Sequence, residues 1–150
     1  MRVLIQRVQK ASVHIHQELK GEIKQGLLIF LAIGKDDQIT DIDYLVRKIL
    51  HLRIFSDQEG KMNLSVQDIA GEILLISQFT LYASTKKGNR PSYTNSALPD
   101  KAKELYSLFI KAIEEERGAV IQTGVFGADM QVSLLNDGPV TIKIDSQNKE

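Results

Sequence analysis

The stretch "RVLIQRV", residues 2–8, alternates apolar and polar side chains, and "ASVHIH", residues 11–16, repeats the pattern. Because successive side chains of a strand point to opposite faces, this period of two indicates strands with one buried face. The runs "GEIKQ", residues 21–25, and "GLLIFLAIG", residues 26–34, follow without any helical pattern. The N-terminal part of the chain therefore predicts strands of a largely antiparallel sheet.

Two later segments change to helical spacing. The first is expected behind Thr40 and Asp41 as N-caps and ends near Leu52, whereas the second opens at Pro99 and stops at Gly118. Further strand-like runs occupy residues 71–83, 119–135 and 140–145. Many strands and two main helices, outside any regular strand–helix alternation, predict a β-rich α+β fold. The apolar stripes of the two helices are Ile42, Leu45, Val46, Ile49 and Leu50, then Ala102, Leu105, Leu108, Phe109, Ala112 and Ile113.

The length and composition suit one soluble globular domain. We expect a single domain over residues 1–150, with residues 147–150 as a flexible tail. The chain has no cysteine, which excludes disulfides, thiolate metal sites and thiol catalysis, and 19 Lys+Arg balance 19 Asp+Glu. The longest apolar run, residues 27–33, is too short to span a bilayer, and no signal-peptide core is visible. These features predict a cytoplasmic protein without membrane contact.

Basic residues gather in one unusual loop, "TKKGNRPSYT", residues 85–94. Lys86, Lys87 and Arg90 surround Gly88 there, and such a loop is either simply solvated or grips a phosphate backbone. Elsewhere His14 and His16 alternate on one strand, but no further ligand cluster accompanies them. We therefore predict no metal and no cofactor.

Polar residues interrupt an apolar strand at "SQFTLYA", residues 77–83. Strand alternation would place Ser77 and Phe79 on one face, and Gln78 and Thr80 on the other. A hydroxyl nucleophile such as Thr80 requires an adjacent base, and the neighbouring sequence offers none. An ordinary strand end therefore remains an alternative to a reaction site.

The segment "NDGPVT", residues 136–141, separates two strand-like runs. Asn-Asp-Gly-Pro is strong turn chemistry, which favours a hairpin between those runs. The alternative is a cis bond between Gly138 and Pro139 that directs backbone carbonyls at a ligand. Local sequence alone leaves both interpretations open.

The ordered motifs "SQFTLYA", "KGNRPSYT", "FGADMQV" and "NDGPVT" resemble those of D-aminoacyl-tRNA deacylases of the bacterial and eukaryotic type. "MRVLIQRVQKASV" at the start and "RIFSDQEGKMNLSV" in the middle extend the resemblance from Met1 to about Ser146. It implies a homodimer of barrel-like subunits, with no protein partner beyond itself. The implied reaction is hydrolysis of the ester between a D-amino acid and the terminal ribose of tRNA.

The resemblance also implies roles for individual residues. Ser77, Gln78, Phe79 and Thr80 form the reaction site, and a cis Gly138–Pro139 dipeptide reaches into the partner subunit's pocket to exclude L-aminoacyl groups. Because glycine has no side chain to exclude, glycyl-tRNA is expected to be a substrate as well. Phe126 and Met130 are the candidates for adenosine contact, although core packing explains them equally well, and Lys86, Lys87 and Arg90 are the candidates for tRNA phosphate contact.

Two mechanisms and two function classes remain open. The tRNA's own 2′-hydroxyl can assist hydrolysis beside backbone N–H donors, or Thr80 can act as a nucleophile. The second function class is a dimeric RNA-binding or replication-associated module without turnover. The intact "SQFT" and Gly-Pro motifs favour the enzyme, because a binding module needs no wall that distinguishes enantiomers.

Overall fold

The structure, a computed structural model, describes residues 1–149. Its two α-helices and eight strands form one α+β domain, which confirms the predicted fold class. A single turn of 3₁₀-helix, Phe79–Tyr82, follows the sixth strand. The elements are β1 (Arg2–Ile15), β2 (Glu18–Ile23), β3 (Gly26–Ala32), α1 (Ile39–His51), β4 (Phe55–Ser56), β5 (Met62–Leu64), β6 (Glu72–Ser77), α2 (Pro99–Arg117), β7 (Gln122–Thr123) and β8 (Gln131–Asp145).

The long strand β1 organises the main sheet. It pairs antiparallel with β3 through its first half, with β2 through its second half, and with β8 along its other edge. Two further pairings, β3 with β6 and β6 with β7, are parallel. The sheet curls so far that an ideal Cβ on Gly21 of β2 would lie 3.2 Å from the Thr123 carbonyl of β7. The sheet is therefore nearly closed, as the barrel-like prediction expects.

Both helices pack on the outer face of the curled sheet. Alternate residues of β1 and β3, such as Val3, Ile5 and Ile29, meet the predicted helical stripes there, except that Leu108 of α2 is exposed. Phe109 of α2 is completely buried in this cluster. Burial of apolar surface at about 25 cal/mol per Å² makes this helix-covered face the main source of stability.

A second, smaller apolar cluster fills the inside of the curl. It contains Val13 of β1, Leu28 of β3 and Leu74 of β6. Because β3 is buried on both faces, its sequence is a continuous apolar run rather than an alternating one. Met130 and Val132 pack against the edge of this cluster.

The helix ends agree with the sequence in part. α2 begins at Pro99 and ends at Arg117, and the next residue, Gly118, caps it with a φ of 71°, the left-handed conformation that favours glycine. α1 begins earlier than predicted, because Gln38 occupies the N-cap and its N–H donates to the Asp41 carboxylate at 2.8 Å. Thr40 and Asp41 thus lie in the first turn rather than at the N-cap, and Asp41 contributes to the cap by accepting the Gln38 N–H.

The hairpin interpretation of "NDGPVT" is wrong, and the alternative, a cis bond between Gly138 and Pro139, is confirmed. Residues 131–145 are one strand, β8, which stays paired with β1 on both sides of the Gly-Pro. Val8 pairs with Asn136 and Gln6 pairs with Thr141, so residues 137–140 bulge out opposite Arg7 alone. The extra residues form a bulge in β8 rather than a hairpin, because β8 pairs with β1 again directly beyond them.

The chain's last described residues are attached to the domain. Ser146 is buried, and the Gln147 side chain donates to Asp41 at 2.9 Å. Of the predicted flexible tail, Glu150 lies outside the described residues. Neither α-helix in residues 1–149 has the length and apolar character needed to cross a membrane.

Candidate active site

The "SQFT" segment lies where β6 stops being a strand. The Gln78 N–H donates to the Leu31 carbonyl of β3 at 2.8 Å, and the chain then turns into the 3₁₀-helix. The turn is closed by Leu81 N–H to Gln78 carbonyl at 3.2 Å and Ala83 N–H to Thr80 carbonyl at 2.9 Å. The expected strand alternation of residues 77–81 is therefore wrong, because backbone hydrogen bonds to neighbouring strands end at Gln78.

A cavity of about 500 Å³ opens beside this turn. It lies between the helix-covered cluster, which Phe126 contacts, and the inner cluster, which Met130 contacts. Five of the predicted site residues line it: Ser77, Gln78, Phe79, Phe126 and Met130. The rest of its wall is mainly apolar and comes from the ends of β3 and β6, from Ile33, from residues 96–97, from the first half of α2, from residues 127–129 and from Val132 of β8. A volume of this size suits a nucleoside-sized ligand.

Thr80 sits beside the cavity rather than in its wall. The Gln78 side-chain amide donates a hydrogen bond of 2.5 Å to the Thr80 hydroxyl oxygen. Within residues 1–149, no carboxylate or imidazole is hydrogen bonded to that hydroxyl. The arrangement orients Thr80 but gives its hydroxyl no proton acceptor of the kind that an activated nucleophile needs.

Phe79 is an aromatic group held at the mouth of the cavity. Its side chain is 57% exposed, and its ring packs edge-to-face on Tyr93 with centroids 5.0 Å apart. The Ser96 hydroxyl donates to the Phe79 carbonyl at 3.2 Å. These contacts fix an exposed ring that the fold itself does not bury.

The back of the cavity contains a tyrosine that the sequence prediction assigned no role. The Tyr106 hydroxyl donates to the Leu75 carbonyl at 3.0 Å, and its ring lies 5.6 Å from that of Phe126. Burial raises the pKa of the Tyr106 hydroxyl above its ordinary value, so it stays neutral. The sequence feature that could have identified Tyr106 is its position directly after Leu105, in the apolar stripe of α2.

The Gly138–Pro139 bond is cis, and both residues are exposed. They lie outside the lining of the cavity in their own chain. The structure thus does not bring them to Ser77–Thr80 within one subunit. Gly138 has a φ of +123°, a conformation that side-chain-bearing L-residues rarely adopt.

Arg7 holds the Gly-Pro bulge, and sequence reasoning missed it. Its Nε lies 3.1 Å from the Asp137 carbonyl and 3.2 Å from the Asp137 carboxylate. A second guanidinium nitrogen donates to the Ile54 carbonyl at 2.5 Å. The sequence feature that could have identified it is spacing: Arg7 continues the alternate buried positions of Val3 and Ile5, where a charge needs buried partners.

The basic loop is separate from the cavity. Ser84 and Ser92 exchange backbone hydrogen bonds of 2.8 and 2.9 Å, which close a loop that carries Lys86, Lys87 and Arg90. All three cations are exposed, and within residues 1–149 none forms an ion pair. The loop follows directly from the turn, so its cations lie a short stretch of chain away from Phe79. Residues 1–149 hold no group of three side chains suited to a metal ion.

The fold and the cavity define the class as a single-domain α+β protein with a nucleoside-sized site at the end of β6. The chain matches the family model described as D-Tyr-tRNA(Tyr) deacylase over residues 4–145, and it belongs to that family. The activity that the family indicates is the hydrolase reaction of a D-aminoacyl-tRNA deacylase with a tRNA substrate. The predicted family is thereby confirmed.

Two solved structures are similar to the chain over nearly its whole length. One, described as "c-Myc DNA Unwinding Element Binding Protein", is 39% identical, with a TM-score of 0.92 over 97% of this chain and 98% of that one. The other is described as a probable eukaryotic D-amino acid tRNA deacylase. It is 19% identical, with a TM-score of 0.80 over 95% of this chain and 98% of that one, and it supports the fold alone.

Proposed function

We propose that the protein is a homodimeric, cytoplasmic proofreading enzyme that removes D-amino acids and glycine from tRNA, with its reaction site at Ser77–Thr80. One observation carries this proposal. The turn residues Ser77–Phe79 line one cavity of about 500 Å³ together with the Phe126 and Met130 side chains, although the two segments are distant in sequence. The terminal adenosine of tRNA occupies that cavity between Phe126 and Met130, which places the ester at the turn.

Backbone N–H groups of the turn act as the hydrogen-bond donors of the reaction site. The first N–H groups of a 3₁₀-helix have no carbonyl partner within their own helix, and here they belong to Phe79 and Thr80. Directed at the ester carbonyl, they stabilise the oxyanion that develops during hydrolysis. The 2′-hydroxyl of the terminal ribose assists attack, because Thr80 has no neighbouring base.

The chirality filter comes from a second copy of the chain. Gly138 and Pro139 project from β8 on an exposed bulge away from their own cavity. In the dimer, backbone carbonyls of Gly138 and Pro139 of the partner subunit stand at the ester's chiral carbon and obstruct an L side chain. Discrimination by obstruction cannot reject glycine, so glycyl-tRNA is also hydrolysed.

The exposed strand β8 supports a homodimer. It pairs with β1 along one edge only, and Leu134 and Leu135 are 38% and 47% exposed. A long, partly apolar edge strand is a surface that proteins normally cover. Replacing both leucines by serine should therefore shift sedimentation from dimer to monomer. Val120→Ser, at a 77% exposed apolar residue elsewhere, is the matched control and should leave the dimer intact.

Deacylation of D-Tyr-tRNA, L-Tyr-tRNA and Gly-tRNA by the purified protein tests the proposal directly. We expect rapid release of D-tyrosine and glycine, slow release of L-tyrosine, and no requirement for added metal. Equal rates on the two tyrosine enantiomers would refute the filter, and inert glycyl-tRNA would refute obstruction as its sole basis. Activity abolished by a chelator and restored by zinc would contradict the metal-free mechanism.

The role of Thr80 is tested separately. Thr80→Ala should keep activity within about tenfold of the wild type, because its hydroxyl forms no bond to the substrate. Loss of about four orders of magnitude with an intact fold, restored by Thr80→Ser, would indicate a covalent mechanism instead.

The 39% identical neighbour favours one second candidate, because its name describes DNA-element binding. In that case the chain would bind nucleic acid through its basic loop without turnover. Tight binding of DNA together with no release of any amino acid from tRNA would favour this candidate over the enzyme.

A further inference from the structure

We propose that Arg2 is a positioning residue of the reaction site. It holds the far end of the Phe79–Tyr82 turn against β1, so that Gln78–Thr80 keep their place beside the cavity. The inference rests on the proposed function, in which this turn carries the reaction.

Arg2 contacts the last two residues of the turn with one side chain. Its Nη1 donates to the Leu81 carbonyl at 3.1 Å. Its guanidinium carbon lies 4.3 Å from the centre of the Tyr82 ring, within the range of a cation–π interaction. The planar, charged guanidinium can make both contacts together, whereas a lysine ammonium can make only one at a time.

Arg2 is itself fixed from behind. Its Nε donates to the Asp145 carboxylate at 2.7 Å, and that carboxylate is only 8% exposed. Burial raises the pKa of Asp145, but the hydrogen bonds from Arg2 and from the Gln147 N–H outweigh burial and leave the pKa below its usual value. The anchor is therefore an ionised carboxylate in a charge-assisted hydrogen bond.

Tyr82 packs against a buried cluster formed by Asp37, Met1 and Gly34. Its hydroxyl lies 3.4 Å from Asp37, whose carboxylate also accepts the Met1 α-ammonium at 2.5 Å and the Gly34 N–H at 2.6 Å. A Cβ on Gly34 would come within 2.6 Å of the Tyr82 hydroxyl, so only glycine leaves room for the ring. The Tyr82 ring is thus clamped between this buried cluster and the Arg2 guanidinium.

A shift at Leu81 would be transmitted to the site through the turn's own hydrogen bonds. The Leu81 N–H is bonded to the Gln78 carbonyl, and the Ala83 N–H is bonded to the Thr80 carbonyl. Gln78 in turn orients the Thr80 hydroxyl. Because a displacement of about 1 Å can cost about a hundredfold in rate, a loosened turn should lower kcat.

Arg2 and Tyr82 lie outside the lining of the cavity in which the adenosine is proposed to bind. Loss of the clamp should therefore change kcat and leave KM nearly unaffected. Loss of general stability alone would not produce that separation at a temperature where the protein remains folded.

The test compares Arg2→Gln and Arg2→Lys with Arg117→Gln. Arg117 is the matched control, since it also donates to two backbone carbonyls, those of Val120 at 3.0 Å and Gly71 at 2.7 Å, at the far end of α2. With D-Tyr-tRNA we expect Arg2→Gln to lower kcat ten- to hundredfold with KM within threefold. Arg2→Lys should recover part of the loss, and Arg117→Gln should stay within threefold of the wild type.

Hydrogen exchange provides a readout that does not depend on activity. Arg2→Gln should speed exchange of the Leu81 and Ala83 amides, whereas Arg117→Gln should not. An active wild type together with unchanged kcat in Arg2→Gln would overturn the positioning role. An equal loss in Arg117→Gln, or a change confined to KM, would overturn it as well. An inactive wild type would overturn the proposed function, and the positioning role would fall with it.

Discussion

Strands β1 and β8 are paired neighbours of almost equal length, 14 and 15 residues, but their environments differ. β1 is enclosed by strands on both edges, and its alternate residues are buried. β8 has one free edge, and Asp145 is its single buried residue. Within one subunit, β1 is hydrogen bonded to other strands along both edges, whereas β8 is hydrogen bonded along one edge. Strand β8 also carries the Gly-Pro bulge, which is why we propose that β8 makes the contact between subunits.

The largest expected effect tests this difference through stability. Ile5→Ala should lower the free energy of unfolding by about 2–5 kcal/mol, because Ile5 is fully buried beneath α1 and α2. Leu135→Ala on β8 should change it by less than about 0.5 kcal/mol. The measurement is urea unfolding at low protein concentration, where association contributes little. Similar losses for the two variants would contradict the distinction between the strands.

The basic loop, like β8, exposes residues that the fold does not bury. Replacing Lys86, Lys87 and Arg90 together by alanine should weaken tRNA binding and reduce its salt-dependence slope by up to about one unit per lost phosphate contact. The D-over-L preference should not change, since the loop lies outside the cavity. A matched triple variant at Lys24, Arg53 and Lys103, exposed cations outside both the loop and β8, is the control. An unaltered slope in the loop variant would place the tRNA surface elsewhere.

A smaller effect is expected at the bulge of β8. A Cβ on Gly138 would lie 2.9 Å from the Arg7 guanidinium and 3.0 Å from the Val140 side chain, at a φ unsuited to alanine. Gly138→Ala should move the bulge and lower the D-over-L rate ratio by about tenfold or more, equivalent to about 1.4 kcal/mol. Stability should fall much less than in Ile5→Ala. An unchanged ratio would mean that the bulge only shapes the strand. Gly88→Ala, at an exposed loop glycine of φ +69°, controls for the strain itself.

The smallest effect concerns Tyr106, between the core and the cavity. Tyr106→Phe removes the hydrogen bond to Leu75 and should cost about 1 kcal/mol at pH 7. The folded-state pKa of this hydroxyl is raised by burial, so its contribution is complete below about pH 10 and is lost as pH rises further. The difference between wild type and variant should therefore shrink above pH 10.

Unfolding curves from pH 7 to 11 measure this change. A constant difference between wild type and Tyr106→Phe over the whole range would show that the hydroxyl does not titrate differently in the folded state.

The sequence by itself determined the elements whose signals are local. Alternation identified β1, helical spacing identified α1 and α2, and Pro99 and Gly118 marked the ends of α2, because backbone geometry acts over a few residues. The ordered motifs identified the family. The same local rules failed at "SQFT", where they predicted a continued strand, and at "NDGPVT" they left both a hairpin and a cis bond open.

Only the tertiary structure decided those two places, because their conformation depends on partners far along the chain. Gln78 ends β6 by bonding to Leu31, and β1 keeps the Gly-Pro segment within one strand. The buried partners of charged residues could not be predicted from local sequence either, since Arg2 bonds to Asp145, which lies 143 positions further along the chain. A periodic pattern indicates which face of an element is buried. Which distant groups bond to a turn, pair with a charge or line a cavity depends on how the curled sheet brings them together.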